Sequence, residues 1–335
     1  MRKEDTRTEM RIIEKITDFD RAPKDCVLTI GNFDGVHLGH QEILAAAKKA
    51  ALKRQTQLAA MTFEPHPVAV LKPEKTPAVL TPIALKTCLL AECGANCLIV
   101  LKSTMELFSL SPEQFVERFL VKAIQPRILI EGQDFNFGYQ RTGNIDKLQH
   151  LGADKGFEVC VVEARKIKLS TGETVRVSST MIRNLLEAGG VADAALALGR
   201  PYRLVGQVIP GHGKGKQLGF PTANLGPTRQ IIPAEGVYAG FVQTGDAEQH
   251  VCQTHEKIPA ALSIGRAQTL ATNRPQLIEA HLLTENVGEL AGKWLAMDFI
   301  RRLRGQHRFP TEGQLAEQIE KDCEKAKAIL AEKTH

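Results

Sequence analysis

The sequence predicts two domains of different fold class: an α/β domain built on a parallel sheet, and then a mainly β domain, a small barrel with a terminal helix. The chain of 335 residues is longer than one ordinary hydrophobic core can organise. Its first part alternates short apolar runs with helical patterns, which is typical of a parallel sheet covered by helices. Its second part consists of stretches with period two between glycine and proline turns, which indicate an antiparallel sheet or small barrel.

Five strands are predicted for the parallel sheet, each a short apolar run that ends in a polar loop or in one marked by glycine or proline. They cover residues 26–30, 57–63, 97–101, 127–130 and 158–163. A helix over residues 111–122 begins with Ser111 as its N-cap and Pro112 in its first turn, and Gln114 completes a capping box. Its apolar stripe consists of Phe115, Phe119 and Leu120.

Two helices at residues 180–188 and 192–198, separated by glycines, mark the predicted boundary between the domains. The domains are therefore placed at residues 1–188 and 203–335, with a connection at 189–202. The strands of the barrel are predicted at residues 202–209, 236–243, 260–264, 277–283 and 294–300. The terminal helix is entered through Pro310 and Thr311, with Gln314 completing a capping box. Its predicted apolar face comprises Leu315, Ile319, Cys323, Ala326 and Leu330.

The composition argues against several classes of protein. The sequence contains no run of ~18 apolar residues, so no membrane span is predicted. The first residues contain no apolar core of the kind found in signal peptides. The seven cysteines, odd in number and unevenly spread, fit a reducing cytoplasm, where we expect the protein to work. The net charge of +5 suits a protein that handles polyanions, nucleotides included. The sequence contains no block of Lys and Arg with interleaved aromatic residues, so binding to nucleic acid is not predicted.

The segment from Thr29 to His40, TIGNFDGVHLGH, carries the first candidate site. A buried strand leads into a glycine-marked turn and then into a helix start, where free N–H groups and the helix dipole favour phosphate. His37 and His40 are three residues apart, so we expect one helical face to present both imidazoles. Gly39 between them allows a ligand to approach the backbone closely. The arrangement suits attack on an α-phosphate with loss of pyrophosphate, and a structural or metal-binding histidine pair is the alternative.

The second candidate site is a loop rich in glycine, followed by Pro-Thr-Ala-Asn. The loop contains Gly211, Gly213, Gly215 and Gly219 together with Lys214 and Lys216. Its amides can surround phosphate, although it is not a Walker A loop and such a loop alone is commonly a hairpin. Thr222 and Asn224 are two residues apart in an extended segment, so they point to the same face. Their hydroxyl and amide oxygens suit Mg²⁺ bound to the phosphates of ATP.

The segment GNFDGVHLGH resembles the HxGH signature of the nucleotidyltransferase superfamily, and specifically its branch of bacterial bifunctional riboflavin kinases/FAD synthetases. The similarity continues, in the family's order, through FEPHP at 63–67, EGQDFNFG at 131–138 and SSTMIR at 178–183. The resemblance implies a Rossmann-like nucleotidyltransferase fold for the first domain, and catalytic roles for His37, His40 and Arg183. The residues implied for ATP are Gly31, Asn32, Phe33, Gly39, Ser178, Ser179 and Thr180, and those implied for the flavin are Asp134, Phe135 and Phe137.

Two of these sets also have a structural interpretation. The run Ser-Ser-Thr at 178–180 is typical of a helix cap, which satisfies backbone N–H groups without any ligand. The two phenylalanines of the flavin set belong to a residue type that is more often found in the core than in a binding site.

The glycine loop with Pro-Thr-Ala-Asn resembles the riboflavin kinase signature, and PAEGVYAG at 233–240 resembles the strand that follows it in that family. The resemblance implies ATP binding by Gly211, Gly213, Lys214, Gly215 and Lys216, and metal binding by Thr222 and Asn224. It makes Glu279 the base that takes the proton from the riboflavin 5′-hydroxyl. Residues 263–270, SIGRAQTL, depart from the usual Asn-Ile-Gly-Thr-x-Pro-Thr-Phe, and Ala291 stands where tyrosine is usual.

The resemblance as a whole implies an enzyme with two activities, each using ATP and Mg²⁺: phosphorylation of riboflavin to FMN, and adenylylation of FMN to FAD. The partners it implies are these small molecules, with no nucleic acid and no membrane. Two alternatives stay open at this point. One is an FAD synthetase whose kinase domain is weak or inactive, and the other is a flavin-binding or flavin-sensing protein without turnover.

Overall fold

The computed structural model describes residues 10–211, 220–254, 256–266, 276–284 and 289–332. The contacts divide the chain into two compact units. The first comprises Met1–Pro77 and Lys86–Lys166, and the second comprises Ala78–Leu85 and Ile167–His335. The division at residue 166 differs from the predicted domain boundary at residue 188, because residues 167–188 pack with the second unit. The boundary at 188 as a limit between two activities stays a prediction.

Six strands in the described part of the first unit form a parallel sheet, which confirms the predicted fold class. They are β1 (Arg11–Ile13), β2 (Val27–Ile30), β3 (Leu58–Glu64), β4 (Cys97–Lys102), β5 (Ile128–Gly132) and β6 (Glu158–Val162). Their order in the sheet is β1-β4-β3-β2-β5-β6, and every adjacent pair is parallel. All five predicted strands are present within about two residues at each end, as expected for sequence-based boundaries. Only β1 was not predicted.

The helices of the first unit cover the sheet. They are α1 (Leu38–Lys53), α2 (Pro67–Leu71), α3 (Ile83–Glu92, which starts in the second unit), α4 (Met105–Phe108), α5 (Pro112–Phe115) and α6 (Ile145–Lys155). A π-type helix, Val116–Ile124, continues α5, and short 3₁₀ helices lie at Ile16–Arg21, Pro73–Lys75 and Tyr139–Arg141. The predicted capping box is present: Ser111 Oγ accepts from Gln114 N at 3.2 Å, and Gln114 Oε1 accepts from Ser111 N at 2.9 Å. The predicted stripe of Phe115, Phe119 and Leu120 is buried in the core of the first unit, in a cluster that also contains residues of the sheet strands.

The order of the strands creates a switch point beside β2. From β2 the chain proceeds to β3 and β4 on one side, and later to β5 and β6 on the other. Ligands of open α/β sheets bind at the carboxyl ends of the strands where the order reverses. The histidine-containing turn follows β2, and the loop with the candidate flavin residues follows β5, so both motifs lie at this point.

The second unit contains a closed barrel, which confirms the predicted small barrel with a terminal helix. Its elements are the hairpin β7 (Lys166–Lys168) and β8 (Thr174–Arg176), then α7 (Ser179–Glu187), α8 (Val191–Leu198), β9 (Tyr202–Ile209), β10 (Ala223–Leu225), β11 (Gly236–Gly245), α9 (Glu248–Gln253), β12 (Ile258–Arg266), β13 (Gln276–Leu282), β14 (Trp294–Arg304) and α10 (Glu312–Ala331). The described strands close in the order β10-β13-β12-β11-β14-β9.

Side chains alternate along the barrel strands, so that one set fills the interior and the other faces outward. On β13, Ile278, Ala280 and Leu282 are buried in the core, whereas Glu279 and His281 lie between them on the outer face. Part of the outer face, at Ala239, Phe241 and Ala261, is covered by α10 through Cys323, Ala326 and Leu330, as its predicted apolar face requires. Among the helices of the described residues, none is both long and apolar enough to cross a membrane.

Candidate active sites

The turn after β2 has an unusual backbone. Phe33, Gly35 and Val36 have φ angles of +46°, +88° and +38°, a region that non-glycine residues rarely adopt. Phe33 and Val36 are each 1% exposed, so the packing of their side chains holds this conformation in place. Val36 N donates to Phe33 O at 3.2 Å and closes the turn. The chain is thereby reversed and leads His37 directly to the start of α1.

The two histidines form a stacked pair. Their ring centroids are 3.7 Å apart and the ring planes differ by 16°. His37 is the N-cap of α1, with extended backbone, and its Nδ1 accepts from His40 N at 3.4 Å. The expectation that both imidazoles project from one helical face is therefore wrong for His37, which precedes the helix. The structure nevertheless brings both rings together at the positive end of α1.

Gly39 and Phe33 shape the surroundings of the histidine pair. A Cβ at Gly39 would lie 3.3 Å from both Cε1 and Nδ1 of His37, so the absence of a side chain at residue 39 leaves space for the His37 ring. The edge of the Phe33 ring packs against His40, with centroids 5.3 Å apart. Gly31 N donates to Met61 O at 2.9 Å, and Thr62 Oγ1 donates to Asn32 O at 3.2 Å. These two hydrogen bonds hold Gly31 and Asn32, two of the residues predicted to bind ATP, against β3.

A buried lysine is a feature of this region that sequence reasoning missed. Lys86 on α3 is 5% exposed, and Asp34 in the histidine turn is 3% exposed. Burial lowers the pKa of Lys86, while the carboxylates of Asp34 and Glu64 act in the opposite direction. The signal in the sequence was a single lysine within the otherwise apolar helix IALKTCLL.

The candidate flavin residues after β5 differ in exposure. Asp134 is exposed, Phe135 is half-buried, and Phe137 is buried in the core of the first unit. The rings of Phe135 and Phe137 are stacked with centroids 5.5 Å apart, and Phe115 packs against Phe137 from the core side. The core interpretation therefore describes Phe137, whereas Asp134 and Phe135 are the members that a ligand could reach. Their role in flavin binding stays a prediction.

The second signature of the transferase, at the start of α7, belongs to the second unit. Ser178 is the N-cap of α7, and its Oγ accepts from Met181 N at 3.2 Å, as the capping interpretation expects. Ser179 is half-buried and Thr180 is exposed in the first turn. Arg183 Nε donates to Ala78 O at 2.8 Å, which ties α7 to the segment at 78–85 of the same unit.

The barrel brings together the polar residues predicted for the kinase. Asn224 on β10 lies directly opposite Glu279 on β13, and Glu279 in turn lies opposite Ser263 on β12. Opposed residues of antiparallel strands point to the same face, so these side chains form one row on the outer face of the barrel. A Cβ at Gly211 would lie 2.0 Å from Asn224 Nδ2, so the glycine loop begins in contact with this row. Gly213, Lys214, Gly215 and Lys216 lie outside the described residues.

The segment before β10 is held against β13. A ring nitrogen of His281, Nδ1, lies 2.9 Å from Pro221 O, and the ring of Phe220 meets the His281 ring edge to face at 5.4 Å. Thr222, two residues before Asn224, therefore lies beside the same row. The oxygens of Thr222 and Asn224 are hard donors of the kind that Mg²⁺ prefers, so these residues fit the metal that the family resemblance implies.

Ser263, which stands where the family usually has asparagine, makes a contact that the sequence did not predict. Gln306, in the segment between β14 and α10, donates from Nε2 to Ser263 Oγ at 3.1 Å and to Ile264 O at 2.9 Å. A Cβ at Gly265 would lie 3.2 Å from the same Nε2, so glycine leaves space for the glutamine. Residues 267–270 of the segment 263–270 lie outside the described residues.

The folds and sites define a two-part enzyme of nucleotide chemistry: an α/β unit of the nucleotidyltransferase type and a barrel with a row of polar residues on its outer face. Two family models match the chain, FAD synthetase at residues 19–181 and riboflavin kinase at residues 198–330. The chain belongs to the bifunctional riboflavin kinase/FMN adenylyltransferase family, which confirms the resemblance seen in the motifs.

Individual relatives support the same assignment over nearly the full chain. The bifunctional riboflavin kinase/FMN adenylyltransferase of Escherichia coli K12 is 35% identical over 314 residues, which cover 93% of this chain and 96% of the relative. The protein of the same name from Pseudomonas fluorescens is 35% identical over 326 residues, covering 97% and 100%. A crystal structure described as a macrolide-efflux protein from Streptococcus pneumoniae has a TM-score of 0.81 and 27% identity, and covers 95% of this chain and 99% of that one.

Proposed function

We propose that this chain makes both flavin cofactors. The barrel transfers the γ-phosphoryl group of ATP to the 5′-hydroxyl of riboflavin, giving FMN, and the nucleotidyltransferase part of the chain joins AMP from a second ATP to FMN, giving FAD and pyrophosphate. The observation that carries the proposal is the pairing of Asn224 with Glu279 beside Gly211. It supports the kinase half, which the departures at 263–270 and Ala291 had called into question.

Adenylyl transfer requires charge stabilisation rather than covalent chemistry from the protein. An oxygen of the FMN phosphate attacks the α-phosphorus of ATP, and the bond from that phosphorus to the bridging oxygen of pyrophosphate breaks. His37 and His40, stacked at the N-terminus of α1, are suited to donate to the phosphate oxygens that gain charge. Ser178, Thr180 and Arg183 at the start of α7 are proposed to add donors for the phosphates.

Riboflavin phosphorylation requires a base and a site for the ATP phosphates. In this proposal Glu279 accepts the proton of the riboflavin 5′-hydroxyl as this oxygen attacks the γ-phosphorus and ADP leaves. Thr222 and Asn224 would hold Mg²⁺, which would supply positive charge to the phosphates of ATP. Gly211 begins the loop that we propose to surround them.

One assay tests the proposal and separates it from both alternatives. The full-length protein is incubated with riboflavin, ATP and Mg²⁺, and FMN and FAD are separated over time. We expect FMN to appear first and FAD to follow, with both reactions stopped when the metal is chelated. FAD from supplied FMN without any FMN from riboflavin would indicate an FAD synthetase alone. Flavin binding without either product would indicate a binding or sensing protein.

A further inference from the structure

Glu131 is a buried carboxyl group that neither proposed reaction uses. It lies in β5, one residue before the strand ends, and it is 2% exposed. Burial of a carboxyl group without compensating contacts is costly, so such a residue in the core needs a reason.

The contacts of Glu131 lie at the switch point of the sheet. The ladder between β2 and β5 pairs Val27 with Ile128 and Leu28 with Leu129. Two residues further along β2, Ile30 N donates to the side-chain oxygen Oε1 of Glu131 at 2.7 Å. The next backbone hydrogen bond between β2 and β5 is thus replaced by this bond from Ile30 N to the carboxyl group of Glu131. On the other edge of β2, Gly31 N remains bonded to the backbone of β3 through Met61 O at 2.9 Å.

The two loops of the transferase site start at the residues that follow Ile30 and Glu131. Gly31, which follows Ile30, begins the turn to the histidine pair, and Gly132, which follows Glu131, begins the loop to the candidate flavin residues. A Cβ at Gly132 would lie 3.2 Å from Cδ1 of Ile43, so α1 packs against the same point. The side chain of Glu131 therefore spans the gap between the strand that carries the histidines and the strand that carries the flavin loop.

We propose that Glu131 is a positioning residue for adenylyl transfer: its carboxyl group bridges β2 and β5 and sets the separation between the phosphate-binding turn and the flavin loop. This role rests on the proposed function of the first unit. Burial raises the pKa of Glu131 well above its usual range, which favours the protonated form, and Oε1 accepts from Ile30 N at 2.7 Å. A glutamine has the same shape and also pairs an accepting oxygen with a donating group.

The test compares Glu131→Ala with Glu131→Gln in the full-length protein. We expect Glu131→Ala to lower kcat for FAD formation from FMN by about tenfold or more, the factor for loss of one hydrogen bond at a buried site. The KM values for FMN and ATP should change little, because the groups that touch the substrates remain. Glu131→Gln should keep kcat within about twofold of the wild-type value, because glutamine retains an oxygen that can accept from Ile30 N. Loss of that hydrogen bond would lower kcat by a larger factor. Riboflavin phosphorylation by the same molecules reports whether the protein stays folded, and it should not change.

A matched control separates positioning from general loss of packing. Leu129→Ala removes a fully buried side chain from the same face of β5 but leaves the bond between Ile30 and Glu131 in place. At a temperature where all variants are folded, its kcat should fall far less than that of Glu131→Ala. Equal losses in these two variants, or a Glu131→Gln variant as slow as Glu131→Ala, or wild-type kcat in Glu131→Ala, would overturn the proposal. Absence of FAD formation in the wild type would instead refute the proposed function itself, and with it the role of Glu131.

Discussion

Asn224 and Glu279 lie directly opposite each other on β10 and β13, with their side chains on the same outer face of the barrel. The cross-strand register places the amide proposed to bind the metal and the carboxylate proposed as general base within one pair of residues, where opposed Cβ atoms are roughly 5 Å apart. A base next to the metal-bound phosphates is the arrangement that phosphoryl transfer to a hydroxyl group needs.

Replacement of Glu279 by glutamine should remove the base and leave the size of the side chain nearly unchanged. General-base catalysis is worth about 10²–10⁴-fold, so riboflavin phosphorylation should slow by about that factor. FAD formation from supplied FMN should remain at the wild-type rate. Glu317→Gln, an exposed change on α10, is the matched control and should alter neither rate. Full kinase activity in Glu279→Gln would exclude Glu279 as the base.

Replacement of His40 by alanine should remove one ring of the stacked pair. Loss of one preorganised donor to a transition-state charge costs about 10²–10³ in kcat, so FAD formation should fall by roughly this factor. FMN formation should persist. His150→Ala on α6 removes an exposed histidine of the same unit and should leave both rates unchanged. Equal loss of both activities in folded His40→Ala would contradict the assignment of the two reactions to separate sites.

The sequence predicted the elements better than the contacts between them. The strands of the first unit were visible because each is a continuous apolar run, and β1 was missed because only one of its three side chains is buried. The compact units divide at residue 166 rather than at residue 188, because the packing of Val177, Ile182 and Leu186 into the core of the second unit depends on distant residues that no local pattern shows.

The same limit applies to the candidate sites. The motifs named His37, His40, Asn224 and Glu279, but spacing alone could not show that Asn224 and Glu279 face each other, since the register depends on the closed barrel. The stacking of the histidines also escaped prediction, because it requires His37 to precede the helix as its N-cap. The carboxylates that act on Lys86 come from the turn after β2 and from the end of β3, which are distant from it in the sequence.

Replacement of Gly39 by alanine should separate stability from activity. Alanine is favoured over glycine within a helix by about 1 kcal/mol, so the Tm should stay the same or rise. The new Cβ would lie 3.3 Å from the ring of His37, a close contact that should displace the ring and slow FAD formation. Gly313→Ala in α10 meets no atom within 4 Å and should raise the Tm without slowing either reaction. A Gly39→Ala variant with wild-type kcat would show that the position of the His37 ring does not matter for adenylyl transfer.

The pH dependence of stability should reveal the protonation state of Glu131. Its pKa in the folded protein is raised above the ordinary value of 4.5 by burial, which the N–H bond from Ile30 only partly offsets. Below pH 4.5 the group is protonated in both states. As pH rises from 4.5 toward the folded pKa, the unfolded chain loses this proton while the folded chain keeps it. Within this window Glu131 therefore lowers the free energy of unfolding with rising pH, by at most about 1.4 kcal/mol per unit.

Glu131→Gln removes this proton linkage and leaves all other titrating groups in place. The free energy of unfolding of the wild type minus that of Glu131→Gln should therefore decrease as the pH is raised from 5 to 8, as measured by urea denaturation at several pH values. Because Lys86 and the remaining carboxylates are common to both proteins, their titration cancels in this difference. A difference that increases with pH would mean that folding favours the ionised carboxylate. The protonated state of Glu131 would then be excluded, and Oε1 would accept from Ile30 N as an ionised oxygen.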